Sequence, residues 1–367
     1  MKKHKNRIRQ FCIPFLPLLL LMVGCNKNNY VNDTSFNENW SFYKGEVKNA
    51  ETYEFDDSQW RKLDLPHDWA IEEPFDRKYN ARTGGLPVYG TGWYRKHFTV
   101  KKEHLGKLVS IEFDGAMNNA HVWVNGQFAG ERPYGYIGFE VDITPYLKYD
   151  EDNVIAVRLQ PEDLAARWYT GAGIYRNVRL KINHKLHIPQ YGTYITTPTV
   201  NNNQATICVQ TSISNQNKQE KSAILITEII DPSGDKINEA ISNIVIQSGT
   251  TGIVTQNISV NKPELWDIYK PKLYKAISYI KLNNKIVDKY ISDFGIREID
   301  FSANKGFLLN GKPTKLNGVC MHHDMGPLGA AINYRAKERQ MEIMKNMGVN
   351  ALRTSHNPPL TGTTGNL

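Results

Sequence analysis

The sequence predicts a mostly β chain: two successive β-sandwiches, then the start of a (β/α)8 barrel. Three observations predict it. Residues 93–159 hold short β-rich runs at close spacing, and Asn125-Gly126 joins two of them. Residues 205–282 repeat the β signal with different punctuation and no constellation of acids or histidines. Residues 315–354 then switch to strand, amphipathic helix, strand. A length of 367 residues suits two or three domains, and 40% hydrophobic content with 11% aromatics is ample for their cores.

The first residues read as a targeting segment. Lys2, Lys3, Lys5, Arg7 and Arg9 form a basic region, and Phe11 to Val23 is apolar but short for a bilayer span. Residues 1–24 are therefore expected to be a signal peptide. Leu21-Met22-Val23-Gly24-Cys25 resembles a bacterial lipoprotein box. That resemblance implies a lipid on Cys25, a polar tether over residues 25–39 and a place in the bacterial cell envelope, exported and anchored to a membrane. The alternative is an ordinary secretory signal with an incidental cysteine. The net charge of +8 is spread along the chain and partly in this leader, with no nucleic-acid motif beside it, so no nucleic-acid partner is expected. Cys12 lies in the leader. Cys208 and Cys320 fall in different predicted domains and read as unpaired core cysteines.

Residues 40–183 form the first predicted domain. Trp93–Val100, Leu108–Phe113, Ala120–Val124 and Val154–Leu159 read as strands. Asn125-Gly126 supplies the positive φ that a two-residue hairpin turn demands. Many short strands argue a sandwich. Residues 187–298 form the second. Ala205–Ile213, Ser222–Ile230, Gly252–Val260 and Leu273–Leu282 read as strands, with a turn at Asp231-Pro232-Ser233-Gly234-Asp235. About seven strands in about 100 residues suit an immunoglobulin-like sandwich.

Residues 300–367 form the third. Phe307–Pro313 reads as a hairpin and Lys315–Met321 as a strand. Arg335–Met347 reads as a helix, with Met341, Met344 and Met347 on one face and Gly348 as its stop. Ala351–Thr354 is the next strand. In such a barrel the functional residues sit at the C-terminal ends of strands, where His322 and His356 fall. His322, His323 and Asp324 are not read as metal ligands, because adjacent strand residues point to opposite faces. No cofactor is implied.

Several motifs occur in order: Gly92-Trp93-Tyr94-Arg95, Phe113-Asp114-Gly115, Val122-Trp123-Val124-Asn125-Gly126, and Arg167-Trp168-Tyr169-Thr170-Gly171-Ala172-Gly173-Ile174-Tyr175-Arg176. Pro263-Glu264-Leu265-Trp266, Phe294-Gly295-Ile296-Arg297 and Arg353-Thr354-Ser355-His356-Asn357-Pro358 follow. The series resembles glycoside hydrolase family 2, the β-galactosidase and β-glucuronidase family. The resemblance implies a jelly-roll sandwich, then an immunoglobulin-like sandwich, then the truncated start of a (β/α)8 barrel. It implies a carbohydrate substrate, with His322 and His356 bonding to hydroxyls of the terminal sugar, Arg353 orienting the site and Asn357 in the same set. Taken singly, each could equally be a satisfied loop or core residue. Leu65-Pro66-His67-Asp68-Trp69 also fits the family, with Asp68 either a sugar contact or a residue that shapes its loop. Some β-galactosidases lend an Asn and an Asp from the first domain to the galactose site. Tyr89 and Arg167 stand at the positions aligned with them here, a departure that bears on galactose preference.

A retaining glycosidase of this kind needs two carboxylates about 5–5.5 Å apart, and a barrel takes about 250 residues. Residues 300–367 hold neither, and Glu338 and Glu342 lie on the predicted helix. The catalytic residues are therefore expected to be absent, leaving the N-terminal portion of a retaining exo-β-glycosidase, inactive by itself. One possible coding of Thr361 to Leu367, shifted by one base, reads Leu-Glu-Leu-Leu-Glu-Thr, so an interrupted reading frame is expected. The alternative function is a lipid-anchored carbohydrate-binding protein without catalysis.

Overall fold

The computed structural model describes residues 32–163 and 166–358. The signal peptide, Cys25 and the Thr361–Leu367 tail expected from the sequence lie outside the described residues. The chain is mostly β, in three parts.

The first part packs a six-stranded sheet on a four-stranded one, both antiparallel. The larger runs in the order Arg61–Leu63, Trp40–Lys44, Gly92–Thr99, Asp152–Leu159, Ala120–Val124, Gln127–Arg132. The smaller runs Asn32–Ser35, Val178–Asn183, Leu108–Phe113, Phe139–Asp142. Alternation of side chains decides the faces. In Ala120–Val124 the residues Ala120, Val122 and Val124 turn inward to the core with Ile111, Phe113 and Val157, while Trp123 turns outward against Trp93. Asn125 and Gly126 both carry positive φ, 51° and 80°, as the predicted hairpin turn requires.

The tether expected over residues 25–39 is structured in its second part. Asn32–Ser35 is an edge strand paired with Arg179–Ile182, and Phe36 is buried against Trp40 and Phe98. Polar side chains disguised it, because an edge strand is held by its backbone and can turn its side chains to water.

The second part is also a two-sheet sandwich. Gln204–Asn215 is the hub of one sheet and pairs with Thr193–Val200, Thr250–Asn261 and the short Leu186–His187. Lys236–Ile246, Lys221–Ile230, Tyr274–Leu282 and Lys285–Phe294 form the other. Asp288 is buried where the first two parts meet and accepts the Ile188 N–H at 2.7 Å. Burial pushes its carboxyl up to about 6. Burial likewise pushes the neighbouring His187 down to about 4.

The third part begins with the antiparallel strands Ile299–Ser302, Gly306–Leu309 and Lys312–Pro313. Gly318–Met321 then pairs in parallel with Ala351–Thr354, and the helix Tyr334–Asn346 connects them. Asn333 caps the helix by accepting the Ala336 N–H at 3.0 Å. Gly348, at φ +84°, ends it: its N–H reaches the Lys345 carbonyl at 3.0 Å and the Val349 N–H reaches Met344 at 3.1 Å. Two expectations are corrected here. The first strand starts at Gly318 rather than Lys315, because the Asn350 side chain takes the Asn317 N–H and the Lys315 carbonyl. Cys320 is exposed and Cys208 only half-buried, so neither is a core residue; both are free thiols.

Candidate functional site

Three rings meet where the parallel strands end. His322 follows the first strand and His356 the second, and their ring centroids lie 5.5 Å apart at 87°. Trp168, from a loop of the first part, faces both, 5.1 Å from His356 and 5.7 Å from His322. Trp168 Nε1 donates to the Tyr136 hydroxyl at 3.0 Å. Burial pushes that phenol up to about 12, so it stays protonated. Asn357 accepts from the Tyr134 hydroxyl at 3.4 Å. His322 Nδ1 and Asn357 Nδ2 are buried yet have no hydrogen-bond partner among the described residues. Buried polar atoms are normally satisfied, so these two stand out beside the aromatic cluster.

Arg353, placed in the same set by the sequence, lies on the second of the two parallel strands. Its guanidinium lies 3.7 Å from Cys320 Sγ, its cross-strand partner. His323 turns away from His322 and packs against Tyr136 and Tyr175 at 5.2 and 5.7 Å. Its Nε2 lies 3.0 Å from the Thr170 carbonyl, which can only accept, so Nε2 carries the proton. Burial pushes this imidazole down to about 4, which keeps it neutral near pH 7.

The loop that delivers Trp168 is fixed by Asp68. This carboxylate is buried and accepts four hydrogen bonds. Oδ1 takes the N–H groups of Ala70 and Ala172 at 3.0 and 2.9 Å. Oδ2 takes the Tyr169 hydroxyl at 2.6 Å and the Ala330 N–H at 2.8 Å. Burial raises the pKa of Asp68, with the four donors opposing the shift. Gly171 and Gly329 close around it with φ of +69° and +59°. A Cβ at Gly171 would sit 2.4 Å from Ala330 Cβ, and one at Gly329 would sit 2.4 Å from Asp68 Oδ2. Of the two readings the sequence left open, Asp68 is the loop-shaper. His67 is buried as well, between the Tyr94 hydroxyl at 2.7 Å and Glu72 at 3.2 Å. Sequence reasoning did not single out Tyr134 or Tyr136; a Tyr-Gly-Tyr between two strands was the only signal for them.

The profile described as "Glycosyl hydrolases family 2, sugar binding domain" matches residues 35–184. "Glycosyl hydrolases family 2" matches residues 186–297, and "Glycosyl hydrolases family 2, TIM barrel domain" matches residues 302–362. The chain belongs to glycosyl hydrolase family 2. Among its relatives in this family, a β-galactosidase from Bacteroides ovatus is 44% identical over 342 residues, covering 92% of this chain and 40% of the relative. A β-glucuronidase from Formosa agariphila is 34% identical over 347 residues, covering 88% and 35%. The structure of a glycosyl hydrolase family 2 member from Bacteroides cellulosilyticus superposes with a TM-score of 0.85 at 40% identity, covering 90% of this chain and 43% of that one. A β-glucuronidase from Bacteroides uniformis superposes at 0.81 with 31% identity, covering 89% and 40%. The family 2 chain thus spans less than half the length of each of these relatives. Within the family 2 architecture, the cluster of His322, His356 and Trp168 lies where the sugar binding domain meets the first barrel strands.

Proposed function

We propose that this chain is the N-terminal portion of a retaining exo-β-glycosidase that acts on terminal β-glycosides, with β-galactosides as the first candidates. The observation that carries the reading is the cluster itself. Trp168, His322 and His356 offer an aromatic face and imidazole nitrogens at the C-terminal ends of barrel strands, where such barrels do their chemistry. C–H faces of a sugar pack on the indole, and an imidazole can donate and accept toward vicinal hydroxyls. Asn357 stands beside these rings, with its side-chain oxygen on the Tyr134 hydroxyl.

Orientation of a sugar is not cleavage. Retention requires an acid/base and a nucleophile about 5–5.5 Å apart. Glu338 and Glu342 do not form such a pair: both are exposed on the helix and bound to Arg335, at 2.8 and 3.1 Å. The chain by itself therefore binds without turnover. Export and a lipid on Cys25 complete the proposal.

The experiment is a panel of nitrophenyl β-glycosides with the purified chain, run beside a sugar-binding titration. Binding of a terminal sugar without nitrophenol release agrees with the reading. Turnover refutes the inactivity, and absence of any sugar binding refutes the site. A second reading, a carbohydrate-binding protein anchored by lipid, is favoured by the same cluster if binding is tight and no longer form of the protein is made.

A further inference from the structure

We propose that the lysine-bearing end of the jelly roll's four-stranded sheet docks on an anionic lipid surface and so turns the ring cluster away from it. The inference rests on the lipid proposed for Cys25. The docking face itself rests on the fold.

Strand register gathers that end. Asn32 opposes Ile182, and Ile182 opposes Val109. Asn183 opposes Leu108. The chain therefore enters the sheet at the end where Lys107 precedes one strand and Lys185 follows another. Six residues separate Cys25 from Asn32. That much chain, fully extended, reaches at most about 25 Å. A lipid on Cys25 thus holds this end of the sheet close to a bilayer.

What stands there suits an anionic headgroup layer. Lys101 and Lys107 flank the single turn Lys102–His104, and Leu105 beside it is 62% exposed. Burial lowers the pKa of His184, and the charges of Lys221 and Lys107 add to the shift, so both lysines lie near this imidazole. Burial also lowers His104, again with help from Lys107 and Lys101. The Gln216 N–H donates to the Lys185 carbonyl at 2.7 Å, which brings the loop before Lys221 to the same end. None of these four lysines takes part in an ion pair among the described residues. The acids beside them are engaged: Glu103 lies against His104 at 3.6 Å, Asp33 against Arg179 at 3.8 Å, Asp150 accepts the Lys102 N–H at 2.9 Å, and Glu220 accepts from the Gln247 amide. Each lysine near an anionic leaflet strengthens partitioning by roughly fivefold, and an exposed leucine among them adds an apolar contact.

The ring cluster belongs to the opposite end. Leu108–Phe113 runs about 20 Å away from the lysines. At its far end Arg176 donates to the Asp114 and Tyr136 carbonyls at 3.2 and 3.1 Å, and the Tyr136 hydroxyl accepts from Trp168 at 3.0 Å. A chain seated on its lysines therefore carries Trp168 and the two histidines on the side away from the bilayer.

The test is hydrogen exchange, read by peptide, on the full lipidated chain at pH 7 and low salt. It compares vesicles of phosphatidylcholine containing one quarter phosphatidylglycerol with vesicles of phosphatidylcholine alone. Amides of residues 102–107 are expected to exchange roughly tenfold slower on the anionic vesicles. Those of residues 134–137, beside the ring cluster, are expected to exchange equally on both. Combining Lys101→Gln, Lys107→Gln and Lys185→Gln should remove the difference, with an unchanged thermal midpoint as the control for folding. High salt should remove it in the wild-type chain, which tests the charge without any substitution. Equal exchange of residues 102–107 on the two surfaces overturns the docking face, as does protection of residues 134–137 instead. Mass spectrometry of Cys25 tests the anchor separately. If no lipid is found, the anchor fails, and flotation of the same chain with the two kinds of vesicle decides the face: lysine-dependent flotation with phosphatidylglycerol keeps it, and equal flotation with both overturns it.

Discussion

Replacing Asp68 by asparagine should loosen the contact between the jelly roll and the barrel start while leaving both largely folded. The amide oxygen of the variant can keep the bonds from Ala70 and Ala172. The amide nitrogen then faces the Tyr169 hydroxyl and the Ala330 N–H, which now donate to Oδ2. The hydroxyl can turn and accept. The Ala330 N–H cannot, and it stays buried without an acceptor. Leaving such a group unsatisfied costs about 1–3 kcal/mol, and losing the charge on the remaining bonds brings the total to about 2–4 kcal/mol. The cost is local to the loop around Ala330, so hydrogen exchange read by peptide is the assay. Amides between Met325 and Asn333 should exchange roughly thirty- to several-hundred-fold faster in the variant, at one rate-limiting opening equilibrium. Those of Ala120–Val124, in the jelly-roll core, should not change. Exchange of residues 325–333 within twofold of the wild type would refute the reasoning that Asp68 holds this junction.

Three further outcomes follow from the same geometry. Asp288, pushed up to about 6, favours its neutral form in the fold; that contribution is complete below pH 3.8 and lost as the pH rises through 6. Asp288→Asn keeps an acceptor for Ile188 and should raise stability at pH 7.5 by about 1–3 kcal/mol, with no gain near pH 4, in urea unfolding at the two pH values. His323, pushed down to about 4, has the opposite sign: it favours the fold fully above pH 6.5, and the contribution fades as the pH falls toward 4. Acidification from pH 7 to 5 should cost about 2 kcal/mol through this residue, and His323→Phe should flatten that part of the profile. Gly171→Ala puts a methyl 2.4 Å from Ala330 Cβ at φ +69° and should destabilise by about 2–4 kcal/mol, measured as a lowered thermal midpoint.

Much of the fold was legible because local chemistry and tertiary need agree. Asn125-Gly126 demanded a tight turn wherever the strands went, and Gly348 could end a helix by itself. The strands Lys236–Ile246 and Lys285–Phe294 were missed for the opposite reason. Much of the first faces water, so its Lys, Asn, Glu and Ser residues blur the alternation. Asn32–Ser35 was invisible because its partner lies far along the chain and the pairing uses main-chain groups. At the site, His322 and His356 could be placed at strand ends from pattern alone. The role of Asp68 could not, since it depends on the Ala330 N–H, which a loop brings back from 262 positions away.

The proposed role of Trp168, His322 and His356 is to hold a terminal sugar without cleavage. Saturation-transfer NMR with nitrophenyl β-galactoside tests it most directly, because one sample reports both contact and cleavage. Transfer to the sugar protons, its loss in Trp168→Ala, and no nitrophenol release above the buffer rate are expected. Release that scales with protein concentration, or transfer that survives Trp168→Ala unchanged, would contradict it.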